Sequence, residues 1–171
     1  MQAAHKKIRF VPTQRNMFFA VAKKRVDAYF AQHHISKHAN AAMVIKTITL
    51  LGMYVVPFVL VLLVPIPFAL ALVLWAVMGF GLAGIGMSIM HDANHGSYSS
   101  KSWLNKLMGS SMYLLAGNVN NWQIQHNVLH HSFTNIHGHD GDIDTGGILR
   151  LSPSTRRRFY HGAQHIYAWF L

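Results

Sequence analysis

Two short stretches carry most of the chemistry of this chain. "HDANH" sets His91 and His95 four residues apart, and "HNVLHH" packs His126, His130 and His131 into six residues. On a helix, residues four apart share a face one turn apart, so each such pair offers two imidazoles to one point. In an α-helix His131 points about 100° further round than His130, able to reach towards a second point. Neutral imidazole suits zinc, copper, iron and nickel. The chain holds 13 histidines, no cysteine and only five acids: Asp27, Asp92, Asp140, Asp142 and Asp144. So many imidazoles with so few carboxylate partners are costly to bury and to protonate, and metal ligation removes that cost.

The acid inventory narrows the metal chemistry. Zinc proteases of the His-Glu-x-x-His kind need a glutamate, and this chain has none. Carboxylate-bridged di-iron sites of helix bundles need several. Thiolate metal sites, iron–sulfur clusters and disulfides are excluded by the lack of cysteine. What remains is a nearly all-nitrogen site, which with open positions for dioxygen fits oxidation of a lipid chain. "DGDID" resembles the start of a calcium loop, but Thr145 stands where glycine is expected and Leu151 where glutamate is. Its aspartates either orient histidines, as carboxylates behind metal-bound imidazoles do, or keep a flexible Gly/Asp loop soluble. His161 and His165 repeat the four-residue spacing and read as structural or supporting residues, not ligands. His33, His34 and His38 read as surface residues.

The elements that must position these groups follow from composition. The chain of 171 residues is 51% hydrophobic and 12% charged, against roughly 25% charged in an ordinary soluble domain. No Lys, Arg, Asp or Glu occurs from Thr47 to Met90. One helix is expected from about Lys37 to Val64, with Ser36 as its N-cap and a kink at Pro57. Pro65 and Pro67 break it, and a second helix is expected from Phe68 to Met90. At 1.5 Å per residue such a helix rises ~34 Å, enough to cross a bilayer. "GFGLAGIG" supplies small residues for close helix packing; a phosphate-loop reading lacks the Lys-Ser/Thr that should follow.

The net charge of +10 invites a nucleic-acid reading. Positive-inside topology explains it better. Nine of the fifteen Lys and Arg stand at or before Lys46 and six at or after Lys101, on one side of the hairpin. The expected organisation is therefore a basic cytoplasmic segment over residues 1–36 and a transmembrane hairpin over 37–90. A cytoplasmic histidine region over 91–165 and the start of a third membrane helix over 166–171 follow. Met17 to Gln32 reads equally as an amphipathic helix on the membrane surface or as one packed on the protein. Ser99 to Gly117 reads as interfacial, and "NVNNW" as a loop or helix start. The fold class is an all-α integral membrane protein, a helical hairpin followed by interfacial helices that carry the histidines.

"HDANHGS" followed by "WQIQHNVLHHSFTN" resembles the first two histidine boxes of the membrane fatty acid desaturase family, most of all bacterial acyl-CoA and linoleoyl-CoA desaturases. The likeness extends from "KKRVDAYF" ahead of the hairpin to "HIYAWFL" at the end. It implies two non-haem iron ions held by three histidine boxes on the cytoplasmic side of a bacterial inner membrane. It implies dioxygen as co-substrate, an acyl-CoA or acyl-lipid substrate, and an outside electron donor of the cytochrome b5 or ferredoxin type. Carried over by position, His91 and His95 are ligands from the first box, and His126, His130 and His131 from the second. The third box, expected beyond two further membrane helices, does not occur here. The chain therefore reads as the front part of a longer protein, inactive by itself. Two alternatives stay open: a related membrane di-iron hydroxylase of lipids or alkanes, and a non-catalytic membrane metal-binding protein.

Overall fold

A computed structural model describes Ile8, Phe10 and residues 17–170. The rest of the basic stretch ahead of Met17 lies outside the described residues, as does Leu171. The chain forms two compact units, Met1–Lys37 and His38–Leu171. The described residues are helical and contain no strand.

In the first unit, α1 (Phe18–Gln32) buries no residue. Asp27 accepts from Lys23 at 2.7 Å and also pairs with Lys37. These two lysine hydrogen bonds lower its carboxyl pKa to about 2. His33 closes the helix and packs its ring 4.2 Å from that of Tyr29. His34 takes a left-handed φ of 51° where the chain leaves the helix.

The second unit opens on the hairpin. α2 (Ala41–Leu63) starts at Ala41, later than Lys37, and its N-cap is Asn40 rather than Ser36. The Asn40 side chain accepts from the Met43 N–H at 2.9 Å, which satisfies a donor at the first turn. Pro57 lies inside α2. After residues 64–67, α3 (Phe68–Gly84) runs back along α2. Gly81 makes the close approach possible: a Cβ there would sit 3.1 Å from the Leu50 carbonyl oxygen and 3.1 Å from the Tyr54 nitrogen. Only Thr47 and Pro57 of α2 and Gly81 of α3 are buried. Large apolar side chains such as Ile48, Phe58, Leu62, Val73 and Phe80 stand exposed around the pair. Such a surface has no place in water, and both helices are long and apolar enough to cross a membrane.

The second crossing does not stop at Met90. It continues without a break as a π-helical stretch, Ile85–Met90, and then as α4 (His91–Asn94), so the helix spans Phe68–Asn94. His91 is thus the last turn of a long helix, not the first residue beyond it. Gly96, at a φ of 72°, ends the helix. Its N–H reaches the Ala93 carbonyl and the Ser97 N–H reaches that of Asp92, both at 2.9 Å. This pairing satisfies two terminal carbonyls, and glycine supplies the left-handed residue it needs. The chain then returns against α2. Ala39 N–H donates to the Tyr98 carbonyl at 3.0 Å, and the Tyr98 and Thr47 hydroxyls meet at 2.9 Å. His38, expected at the surface, is partly buried, with Nδ1 3.2 Å from the Ser97 carbonyl oxygen.

Beyond the hairpin, α5 (Ser102–Gly109) runs into a 3₁₀ stretch, Ser110–Leu115. α6 (Val119–Trp122) is capped by the Asn118 side chain, which accepts from the Asn121 N–H at 3.0 Å. It continues as a π-helical stretch, Gln123–His130, and as α7 (His131–Phe133). A 3₁₀ turn, Gly141–Ile143, follows, then a second over Phe159–Ala163. α8 (Gln164–Tyr167) and a last 3₁₀ turn, Ala168–Phe170, come next. Trp169 and Phe170 in that final stretch are exposed.

Candidate metal centre

α4 with the His95 that follows it, the π-helical stretch after α6 and the start of α7 bring five imidazoles together. Candidate ligand atoms of His91, His95 and His126 all lie within 4.8 Å of one another. The ring centroids of His91 and His95 are 4.5 Å apart, and that of His126 lies 5.3 and 5.2 Å from them. His130 stacks parallel on His126 at 5.0 Å.

His131 does not point away, as an α-helix would have it. Its ring lies 5.0 Å from His126, 5.0 Å from His95 and 5.4 Å from His130. The reason is the wide turn. In a π-helix the backbone bonds run from i to i+5, so residue i+5 comes back over residue i, and His131 stands five beyond His126.

The aspartate loop closes the site from behind. Asp140 is 1% exposed. Its two oxygens accept from His130 Nδ1 at 2.9 and 3.0 Å, from the Asn135 N–H at 2.7 Å and from the Asp142 N–H at 3.0 Å. Burial pulls its pKa up, but the His130 and backbone hydrogen bonds outweigh it, and the net direction is down. Asn135 turns the chain into this arrangement with a left-handed φ of 63°, which asparagine tolerates. Asp142 accepts from His126 Nδ1 at 2.6 Å, and Asp92 faces His91 Nδ1 at 3.1 Å. Asp140 and Asp142 therefore tie the loop to the histidine-bearing helix. His126, His130 and Asp142 also lie close together: Asp142 is hydrogen-bonded to His126 and stands 3.7 Å from His130 Nδ1, which bonds Asp140 instead. With Nδ1 engaged, Nε2 is the nitrogen left to His126 and His130 for a ligand.

This donor set fits a metal. Burial, and then the neighbouring His91, His126 and His131, push the His95 pKa down, which favours the neutral, ligating form. His161, by contrast, is buried with both ring nitrogens taken. Nδ1 accepts from the Arg158 N–H at 3.1 Å and Nε2 bonds the Gly147 carbonyl at 2.9 Å, so these bonds leave neither nitrogen for a ligand. His165 is exposed, and its carbonyl accepts from Trp169 Nε1 at 3.0 Å.

One site residue escaped the sequence reading. Trp122 stacks on His126 at 4.5 Å and 25°, with its ring 5.8 Å from His91 and 5.5 Å from His95. It walls one side of the cluster. Its position four residues before His126 was the available signal.

A family model described as fatty acid desaturase matches residues 67–171. The chain is 38% identical to an sn-1 linoleoyl-lipid 6-desaturase of Arthrospira platensis, over 86% of this chain and 40% of that protein. It is 35% identical to a protein of the same name from Synechocystis sp., over 93% of this chain and 44% of that one. An acyl-lipid (8-3)-desaturase of Physcomitrium patens is 35% identical over 94% of this chain and 34% of its own length. The chain thus spans about two fifths of the length of the curated relatives it matches. No solved structure matches. With both histidine clusters inside the matched residues, the chain belongs to the fatty acid desaturase family.

Proposed function

We propose that this chain supplies the membrane hairpin and the first two ligand sets of an acyl-lipid desaturase. The observation that carries this is the convergence of His91, His95, His126, His130 and His131 from two helix ends, with Asp92, Asp140 and Asp142 on the Nδ1 atoms of His91, His130 and His126. Bound at this cluster, non-haem iron supplies dioxygen activation for hydrogen removal from an unactivated acyl chain. The reaction balances as –CH₂–CH₂– plus O₂, two electrons and two protons giving –CH=CH– and two waters.

The residues of the chain have defined tasks in this reading. The five imidazoles would hold the metal. Asp140 and Asp142 fix two of the rings and strengthen them as donors. Trp122 packs its indole against His126, His91 and His95 on one side of the cluster. The hairpin anchors the site at the bilayer, whose hydrocarbon core holds the acyl chains. A lipid-borne acyl group is favoured over acyl-CoA because the relatives are named linoleoyl-lipid and acyl-lipid desaturases.

The basic residues on both flanks of the hairpin support a cytoplasmic location for the cluster in a bacterial inner membrane. A cysteine placed at Ile66 is then labelled from outside and one at Ser100 is not. Arg156, Arg157 and Arg158 are exposed and suit an acidic electron carrier of the cytochrome b5 or ferredoxin type. The test is the fatty-acid profile of a host that expresses the complete gene with a working donor. New unsaturated acyl lipids support the proposal. Hydroxylated products shift it to a hydroxylase, and an unchanged profile at good expression leaves a non-catalytic metal protein.

A further inference from the structure

Asn94 lies between the two histidines of the first cluster and the helix of the second, and its polar atoms bond to three elements. Its backbone carbonyl accepts from Asn127 Nδ2 at 3.1 Å. Its Oδ1 accepts from Gln123 Nε2 at 3.4 Å. Its Nδ2 donates to the Gly109 carbonyl of α5 at 3.4 Å and touches Met90 Sδ at 3.7 Å. Space around it is tight: a Cβ on Gly109 would stand 2.5 Å from Asn94 Oδ1. Both partners in the second cluster belong to the stretch that carries His126 and His130.

We infer that Asn94 is a positioning residue that sets the separation between the His91/His95 pair and His126. The amide is suited to this because it donates and accepts at once. The acceptor side meets Gln123 and the donor side meets Gly109, so an aspartate cannot replace it without setting a carboxylate oxygen against a carbonyl. Asn127 supports the same junction at a cost. Its Nδ2 faces the Asn94 carbonyl while its Oδ1 is buried without a hydrogen-bond partner. Turning that amide over would set two oxygens together, so the orientation is fixed by Asn94. The hydrogen bonds of Asn94 and Gln123 run between the helices they join, and through these helices they act on the cluster.

The inference rests on the metal reading, and the test separates the two. The full chain, purified in detergent without metal, is titrated with cobalt(II) and followed by its visible ligand-field absorption. The parent chain should bind, and His91→Ala should not. Asn94→Asp, Gln123→Met and Gly109→Ala should bind cobalt some 10- to 100-fold more weakly. At matched saturation their absorption bands should be displaced in position and intensity, while the melting temperature of the metal-free protein stays within a few degrees of the parent. Gln123→Met removes one bond and no ligand, so it remains informative if Asn94→Asp fails to fold. Parent-like affinity and spectrum in Gln123→Met and Gly109→Ala overturn the inference. Parent-like binding by His91→Ala, or none by the parent, overturns the metal reading beneath it.

Discussion

His130 donates through Nδ1 to both oxygens of the buried Asp140 carboxylate, at 2.9 and 3.0 Å. The same carboxylate ties down the backbone at Asn135 and Asp142. Asp140→Ala therefore removes the acceptor of two backbone donors and frees the His130 ring to rotate. Metal affinity is expected to fall 10- to 100-fold, read by cobalt or iron titration. Unchanged affinity would show that the carboxylate does not orient the ring.

Trp122 makes the cluster visible. Its indole stacks on His126 at 4.5 Å, and among the described residues no other tryptophan makes a ring contact with these histidines. Cobalt(II) or iron(II) added to metal-free protein should quench part of the tryptophan emission. In Trp122→Phe most of that quenching should vanish while the metal still binds. Equal quenching in both proteins would place the metal elsewhere.

The hairpin depends on one glycine more than on its neighbour. Gly81→Leu drives a side chain into the backbone of α2 and is expected to cost about 1–3 kcal/mol. Gly79→Ala meets nothing within 4 Å and should stay within about 0.5 kcal/mol of the parent. Thermal melting in detergent compares the two. Equal losses at both sites would contradict the packing.

Asp27 makes the first unit sensitive to acid. Its carboxyl is lowered from 3.8 to about 2 by hydrogen bonds from Lys23 and Lys37. A depressed folded-state value stabilises above the unfolded pKa, and this contribution is lost as pH falls from about 4 through 2. The Asp27 carboxyl carbon, followed by NMR, should still be ionised at about pH 3, and Lys37→Ala should raise its pKa towards the ordinary value. A normal titration in the parent would remove the lysine pairing.

The hairpin was legible because its signals are local: an uncharged run, two prolines at the turn, and small residues where the helices cross. Its start was misplaced because Ser36 and Asn40 both have capping side chains, and only the bond from Met43 decides between them. The pairing of His91 with His95 and of His126 with His130 is legible from their four-residue spacing. The convergence of His131 is not, because no residue type marks a π-helical turn. Asp140 and Asp142 were left between two roles because they lie 10 and 16 residues from the histidines they hold, joined by an aperiodic loop. Trp122 does not stand out in the sequence because "NVNNW" reads as a loop or helix start.

The π-helical stretch Gln123–His130 has a consequence for the chain as a count of residues. A π turn accommodates more residues per turn than an α turn, so the segment behaves as an α-helix with an extra residue inserted. Deleting the exposed Ile124 would preserve all five histidines and every interval within "HNVLHH". It would also let the segment relax to an α-helix and swing His131 off the axis it shares with His126 and His95. Two sequences with identical histidine boxes can therefore differ in whether their imidazoles meet, and the difference is written in the number of residues ahead of the box.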